Sequence, residues 1–402
     1  MSTSSIDCAA APSETRPAPW TAVIAVAAGA FVLVTTEFLP IGLLPQIAED
    51  IGITNGQAGL LVTLPGVVAA IAAPTTVALA SRIDRRLLLC VLLGLLVASN
   101  AVVAIGSTLP VLLIGRIFLG VGVGGFWTVG GSLGPRLRPG SQGPKATSII
   151  FGGVSLGTIA GLPAGALLGS VVTWRIAFAA TAVLALVLIA ALLVFLPSIR
   201  PQSGAGIGSV PVVLRRRLVR IGLLAATLTF AGHFVAYTYI APFLEMVSRV
   251  NAATLSAVLL AYGCAGFAGN TAGGWLVGRN VSVAVISGTV VIGLALIALV
   301  LTGSHQVAAI GAVAVWGFGF GIFPIAMQTF LADAAPDHLE SVNALLVSFA
   351  QAFVGLGALV GGVIVDHVGI TGPFWLGAGM ALATTASVCV LGRTDTARRR
   401  SS

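Results

Sequence analysis

The stretch Val32-Leu33-Val34-Thr35-Thr36-Glu37-Phe38-Leu39-Pro40 decides how this chain is read. It lies inside an apolar run from Trp20 to Leu44, and about 20 such residues suffice to cross a bilayer as a helix. Glu37 is the only ionisable group of that run. A carboxyl in hydrocarbon must face a cavity, find a partner or stay protonated, because a bare charge there costs several kcal/mol. Each option sets Glu37 on the path of a proton or a polar solute. The plainer alternative is a carboxyl that hydrogen-bonds two helices together.

Working outward, 57% of the 402 residues are hydrophobic and 8% are charged, whereas a soluble domain carries about 25% charged residues. So little charge cannot coat a water-facing surface, and the chain is expected in lipid. Cys8, Cys90, Cys264 and Cys389 are scattered. They form neither a metal spacing nor a disulfide framework, and read as small buried hydrophobes. The glycine-rich runs lack Gly-Lys-Ser/Thr, so no nucleotide loop is present, and no serine elbow or metal-binding His/Glu helix appears. The first apolar run is too long for a secretory leader and should remain as a span.

Residues 1–19, rich in Ser, Ala and Pro, read as a disordered tail. Twelve apolar segments follow, at 20–44, 57–81, 87–106, 109–132, 147–170, 175–196, 218–242, 255–278, 282–302, 306–331, 342–366 and 373–392. Continuous runs of this length are helices; barrel strands would alternate over about 10 residues. Twelve spans leave both termini on one side. All Lys and Arg residues fall on that side except Arg116, Arg175 and Arg249, which predicts cytoplasmic termini. The net charge of +8 is then a topology signal, and no nucleic-acid partner is expected.

The longest break, 197–217, holds Gly, Ser and Pro and ends in Arg215-Arg216-Arg217. It reads as a flexible cytoplasmic connector whose basic end lies on anionic head groups. It separates one six-helix bundle, 20–196, from a second, 218–392, with a tail at 393–402. The halves repeat weakly. Span four, Gly115-Arg116-Ile117-Phe118-Leu119-Gly120, parallels Trp316-Gly317-Phe318-Gly319 of span ten, and Pro45 set on Pro242 places Thr36 on His233. Repeated halves with a polar site between them mark a secondary transporter.

Glu37 lies seven residues before Leu44 on an outgoing span, and Arg116 seven residues after Leu109 on an ingoing one. At 1.5 Å per residue both sit about 10 Å below the outer surface, so the two are expected to face each other or share a wet pocket. Arginine keeps its proton, so the carboxyl is the group that titrates; a static ion pair is the alternative. His233 is the one histidine well inside a span, with Tyr237 a helical turn further on the same face. It suits proton relay or hydrogen bonding to a solute, or simple packing. Tyr237, Tyr239 and Tyr262 all lie in spans seven and eight and can line a cavity. In span five, Gly153, Gly157, Gly161, Gly165 and Gly169 recur every fourth residue beside Pro163. This stripe allows close helix approach, either as fixed packing or as a rocking contact.

At these residues the chain resembles the major facilitator superfamily, in its twelve-span drug/proton antiporter branch. The loop Leu79-Ala80-Ser81-Arg82-Ile83-Asp84-Arg85-Arg86 is similar to the family's acidic–basic motif after span two, with Ser81 in place of Asp and Asp84 in place of Gly. Arg82, Asp84 and Arg85 would then act in gating. Arg116 with Gly120 and Gly124 resembles the span-four motif whose arginine is tied to proton transfer. Gly157, Gly161, Pro163 and Gly165 resemble the antiporter motif of span five, and Trp174-Arg175-x-x-Phe178 the usual start of span six. Glu37-Phe38-Leu39-Pro40, Gly124-Gly125-Phe126-Trp127 and Tyr237-Thr238-Tyr239-Ile240 are similar to bacterial sugar and purine-ribonucleoside exporters, and Thr35-Thr36-Glu37-Phe38 also to chloramphenicol exporters.

The resemblance implies an all-α fold of twelve transmembrane helices in two pseudo-symmetric six-helix bundles. It also implies a monomer in the bacterial inner membrane that imports protons and exports a small polar or amphiphilic solute, with no cofactor and no enzymatic activity. A nucleoside or sugar is the expected solute; a drug exporter or a passive uniporter is the alternative. Glu37, Arg116 and His233 are the proton-coupling candidates. Phe126, Trp127, Tyr237, Tyr239, Trp316 and Gln328 join Glu37 and His233 as candidates for solute binding.

Overall fold

A computed structural model of the chain describes residues 18–80, 83–139, 142–199 and 210–400. Every regular element among them is helical. The first half runs α1 (Trp20–Ile51), α2 (Asn55–Ala80), α3 (Arg85–Ile105), α4 (Leu109–Leu137), α5 (Gly143–Leu156), a π-helical turn (Gly157–Gly161), α6 (Leu162–Val171) and α7 (Trp174–Phe195). After a short α8 (Val210–Leu214), the second half runs α9 (Arg217–Tyr237), α10 (Ile240–Met246), α11 (Ala252–Val277), α12 (Val281–Thr302), α13 (Gln306–Ala334), α14 (Leu339–His367) and α15 (Gly372–Arg400). Among the described residues ten helices are long and apolar enough to cross a membrane, and α5 with α6, bent by 42°, makes an eleventh. α15, which holds the last of the twelve segments expected from sequence, packs on α9 and α12.

Local chemistry sets where the helices start, bend and stop. Asp84 caps α3 by accepting from the Arg86 and Leu87 amides, and Asn251 and Asn280 cap α11 and α12 in the same way. Gly52 closes α1 with φ at 71°, a left-handed conformation that a residue without Cβ adopts freely. Span five bends at the π turn just before Pro163, whose ring lacks the amide that would close the preceding turn. Span seven breaks between α9 and α10, where the Thr238 hydroxyl takes the Phe234 carbonyl at 2.8 Å.

The two halves have one internal plan. In the first, α1 packs on α5 and α7, α2 on α4, and α3 on α4 and α7. In the second, α9 packs on α14 and α15, α11 on α13, and α12 on α13 and α15. Exchanging the halves maps each pairing onto its counterpart. It also exchanges the two main contacts between halves, α2 with α14 and α6 with α11. The fold is thus two pseudo-symmetric six-helix bundles.

Glycines set these contacts. A Cβ on Gly153, Gly157, Gly161, Gly165 or Gly169 would strike Ala27, Phe31, Thr35, Leu39 or Leu43 of α1 in turn. Gly357 and Gly361 of α14 press on Ala231 and Val235 of α9 at the equivalent place in the other half.

Two sequence readings need correction. None of the three described cysteines is buried: Cys264 is exposed and Cys90 and Cys389 are intermediate, because a thiol is apolar enough to face lipid. The basic end of the connector is not all free for head groups. Val213 of α8 is fully buried beside Val219 and Leu331, and Arg216 holds the Asp337 carboxylate through both terminal nitrogens. That pairing lowers the Asp337 pKa.

Candidate functional site

Glu37 is 4% exposed, the one acid among the buried polar side chains described. It sits where the halves meet: its Oε1 accepts from Nε2 of Gln351, on α14 of the other half, at 3.3 Å. Sequence reading missed Gln351, although a lone amide within Phe349-Ala350-Gln351-Ala352-Phe353 was a usable signal.

Arg116 is fully buried, yet no ion pair among the described residues joins it to Glu37. Its Nε donates to the Leu61 carbonyl at 2.7 Å, and its terminal nitrogens to the carbonyls of Thr36 at 3.1 Å and Glu37 at 3.0 Å. Proline explains two of these acceptors. Pro40 and Pro65 have no amide hydrogen, so the carbonyls four residues earlier, at Thr36 and Leu61, lose their helical partners. Arg116 therefore fastens α4 to both α1 and α2, and it reaches Glu37 through the main chain. Next to it the Asn100 amide donates to the hydroxyls of Thr36 at 3.2 Å and Thr181 at 3.0 Å, joining α1, α3 and α7.

On the second half, His233 anchors a cluster of rings. Phe320 stacks on it at 3.6 Å and 10°, and Tyr237 at 4.9 Å and 25°. Trp316 meets it edge-on at 5.3 Å, and the Tyr262 hydroxyl lies 3.3 Å from its Nε2. Phe38, next to Glu37 in sequence, stacks on Phe234 at 5.8 Å, so the cluster reaches the first half. His233 Nδ1 and Trp316 Nε1 are buried without a hydrogen-bond partner. Phe320 and Phe38 were not singled out by sequence, since phenylalanine in a lipid-embedded helix carries no distinguishing signal.

Other candidates are placed elsewhere. Phe126 lies inside the first bundle with Leu33, Leu92 and Leu192, and Trp127 packs beside it toward Phe151. Gln328 donates to Asn343 at 3.2 Å and lines a cavity of about 280 Å³ between α13 and α14, at the end facing the connector. Tyr239 is fully buried and donates to the Ala358 carbonyl at 2.8 Å, wedged against Gly59, Gly361 and Gly362. Asp84 accepts from Ser198 Oγ as well as capping α3, and the Arg85 amide donates to Ile199, so this loop holds the chain leading to the connector. Arg82 lies outside the described residues. Asp50, not foreseen, binds Arg175 and the Trp174 indole, and Arg175 also reaches the Gly106 carbonyl.

Contacts between the halves gather at the face away from the connector. Asp366 of α14 accepts from the Thr54 hydroxyl at 2.7 Å and the Gly56 amide at 3.1 Å, Tyr239 plugs the next layer, and Gly66 meets Gly355 below it. The halves are closed together on that side.

Duplicated helical bundles, joined by a seam that buries an acid bonded from one half to the other, are the build of a secondary transporter. The sequence profile of the Major Facilitator Superfamily matches residues 26–352, and the chain belongs to that superfamily of membrane transporters. It is 33% identical over 369 residues to the purine ribonucleoside efflux pump NepI of Salmonella paratyphi A, covering 92% of this chain and 93% of the pump. It is 34% identical over 374 residues to NepI of Escherichia coli O6:K15:H31, covering 93% and 94%. Its fold is similar to a crystal structure of the nucleoside transporter NupG, with a TM-score of 0.79 at 12% identity over 92% of this chain and 99% of that one. It is also similar to the human organic anion transporter MFSD10, with a TM-score of 0.64 at 18% identity over 92% and 98%.

Proposed function

We propose that this chain is a proton-driven antiporter that exports a purine nucleoside by alternating access. The observation that carries the reading is Glu37, a buried acid hydrogen-bonded across the seam to Gln351. A group bonded to both halves changes its surroundings whenever they rock apart. Closed against Gln351 it is shut off from water; when the halves open it exchanges a proton with the side it faces. A proton taken up from one side is thereby released on the other. Arg116 serves this cycle by holding the α1 backbone at Thr36 and Glu37 in place. The solute follows from the likeness to NepI, described as a purine ribonucleoside efflux pump. The cycle needs no cofactor, and a monomer in the bacterial inner membrane with cytoplasmic termini suffices for it.

Everted vesicles test this. Glu37→Gln keeps a hydrogen bond to Gln351 and removes the titrating group. Wild-type protein should accumulate inosine when a pH gradient is imposed, and the variant should retain only downhill exchange. Gradient-driven accumulation by Glu37→Gln at the wild-type rate would remove Glu37 from proton coupling.

A further inference from the structure

The two halves differ in charge at one equivalent corner. In the second half the start of α9 meets the turn between α13 and α14: Arg216, which precedes α9, holds the carboxylate of Asp337 in that turn through both terminal nitrogens. Exchanging the halves carries this corner to the start of α1 and the turn between α4 and α5. There the basic groups are opposed by a ring. Arg138 closes α4, with its guanidinium carbon 4.5 Å from the ring centroid of Trp20, the first residue of α1. The Lys145 ammonium, in the first turn of α5, lies 5.4 Å from the same ring.

Trp20 and the backbone hold these cations in place without neutralising them. The Ala18 carbonyl accepts from Arg138 Nη1 at 2.8 Å, and the Ala18 amide donates to the Leu137 carbonyl at 2.9 Å, so the entry to α1 is tied to the end of α4. An indole face attracts a cation through its quadrupole but carries no net charge. Among the described residues no carboxylate pairs with Arg138 or Lys145. Two like charges beside one ring repel each other, and an anion placed against both relieves that repulsion. Lys145 is exposed and Arg138 half-buried, so an anion reaches them from outside.

We propose that Trp20, Arg138 and Lys145 form a binding site for the head group of an anionic phospholipid. All three lie at helix ends on the side of the connector, where the first membrane-crossing helix begins. Tryptophan at such a boundary sits at the level of the head groups, and basic pockets between membrane helices on the cytoplasmic side take anionic head groups. Ile24, one turn further along α1 from Trp20, is 57% exposed and offers apolar surface to an acyl chain of the same lipid. The lipid phosphate then supplies in the first half the negative charge that Asp337 supplies in the second. This site goes beyond the export reading and depends on neither the solute nor proton coupling.

The test titrates lipid into purified full-length protein in detergent micelles and reads bound lipid by native mass spectrometry. Phosphatidylglycerol, whose head group is negative, is set against phosphatidylcholine, whose phosphate is balanced by its own ammonium. Wild-type protein should hold phosphatidylglycerol about tenfold more tightly. In the double variant Arg138→Gln/Lys145→Gln its affinity should fall about thirtyfold, the effect of two cations near an anionic surface. The double variant Arg215→Gln/Arg220→Gln removes the same charge from exposed residues on the same side and should lose less than about threefold. Equal losses in the two double variants would mean a diffuse attraction to the basic surface and overturn the site. Equal wild-type affinity for the two lipids overturns it too, with no variant that must fold. Inorganic phosphate at millimolar concentration should leave the lipid bound; displacement of the lipid would assign the corner to a free anion and overturn the lipid.

Discussion

Arg116→Met gives the sharpest test of how the first half is held together. Methionine keeps much of the side-chain volume and removes all three donors together with the charge, so the variant loses the hydrogen bonds to the carbonyls of Thr36, Glu37 and Leu61. Hydrogen bonds inside membrane proteins contribute about 0.6 kcal/mol on average and up to about 1.7. Three of them therefore predict a loss of about 2–5 kcal/mol. The proline argument sharpens this, because Pro40→Ala returns an amide to the Thr36 carbonyl. With Arg116→Met in the background, Pro40→Ala should recover about one bond, ~0.6–1.7 kcal/mol, and Pro65→Ala should do the same at Leu61. In wild-type protein neither alanine finds a carbonyl that lacks a partner, so the gain appears as coupling in a double-mutant cycle. Equilibrium unfolding of purified protein in mixed micelles is the assay. The reasoning is refuted if Arg116→Met lies within about 0.5 kcal/mol of wild type, the usual range for surface changes, or if the cycles show no coupling.

Removing the Asp366 carboxylate should loosen the closed face. Asp366→Ala deletes the bonds from Thr54 and Gly56, and about 1 kcal/mol for this exposed pair of bonds corresponds to a roughly fivefold faster maleimide labelling of a cysteine placed at the buried Ala58. In span five, Gly157→Ala sets a methyl 2.8 Å from the Phe31 carbonyl oxygen, whereas Gly152→Ala meets nothing within 4 Å. The first should cost about 1–3 kcal/mol by overpacking and the second should be neutral or stabilising, as read by thermal unfolding. At the connector, Arg216 depresses the Asp337 pKa through its hydrogen bond. That contribution is complete above the unfolded value of about 3.9 and disappears as pH falls through the lower folded value. The stability difference between wild type and Arg216→Gln should therefore be present at neutral pH, vanish in strong acid and shrink with salt.

The placement of the solute-site candidates shows where sequence reading loses its grip. In a soluble helix the polar stripe reveals the face turned to water. Here α2, α11, α12 and α13 are apolar all round, and lipid tails are as apolar as a protein core. Periodicity therefore could not tell that Trp316 faces His233 while Phe126 turns into its own bundle and Gln328 lies beside Asn343 near the connector. Tyr237 and Tyr239 are two residues apart, yet the break between α9 and α10 sends one to the ring cluster and the other into the contact between halves.

What the chain's order of residues determined alone was the helical membrane fold, its duplication, and the two ions placed within spans, Glu37 and Arg116. These follow from run length, repeat and the high cost of charge in hydrocarbon, all local properties. The tertiary structure decided the partners: Gln351 for Glu37 across the seam, proline-freed carbonyls rather than a carboxylate for Arg116, and a ring cluster with two unmatched atoms around His233. Those choices depend on how helices far apart in sequence rotate against one another. That rotation is set by glycine contacts between backbones, which no single segment encodes.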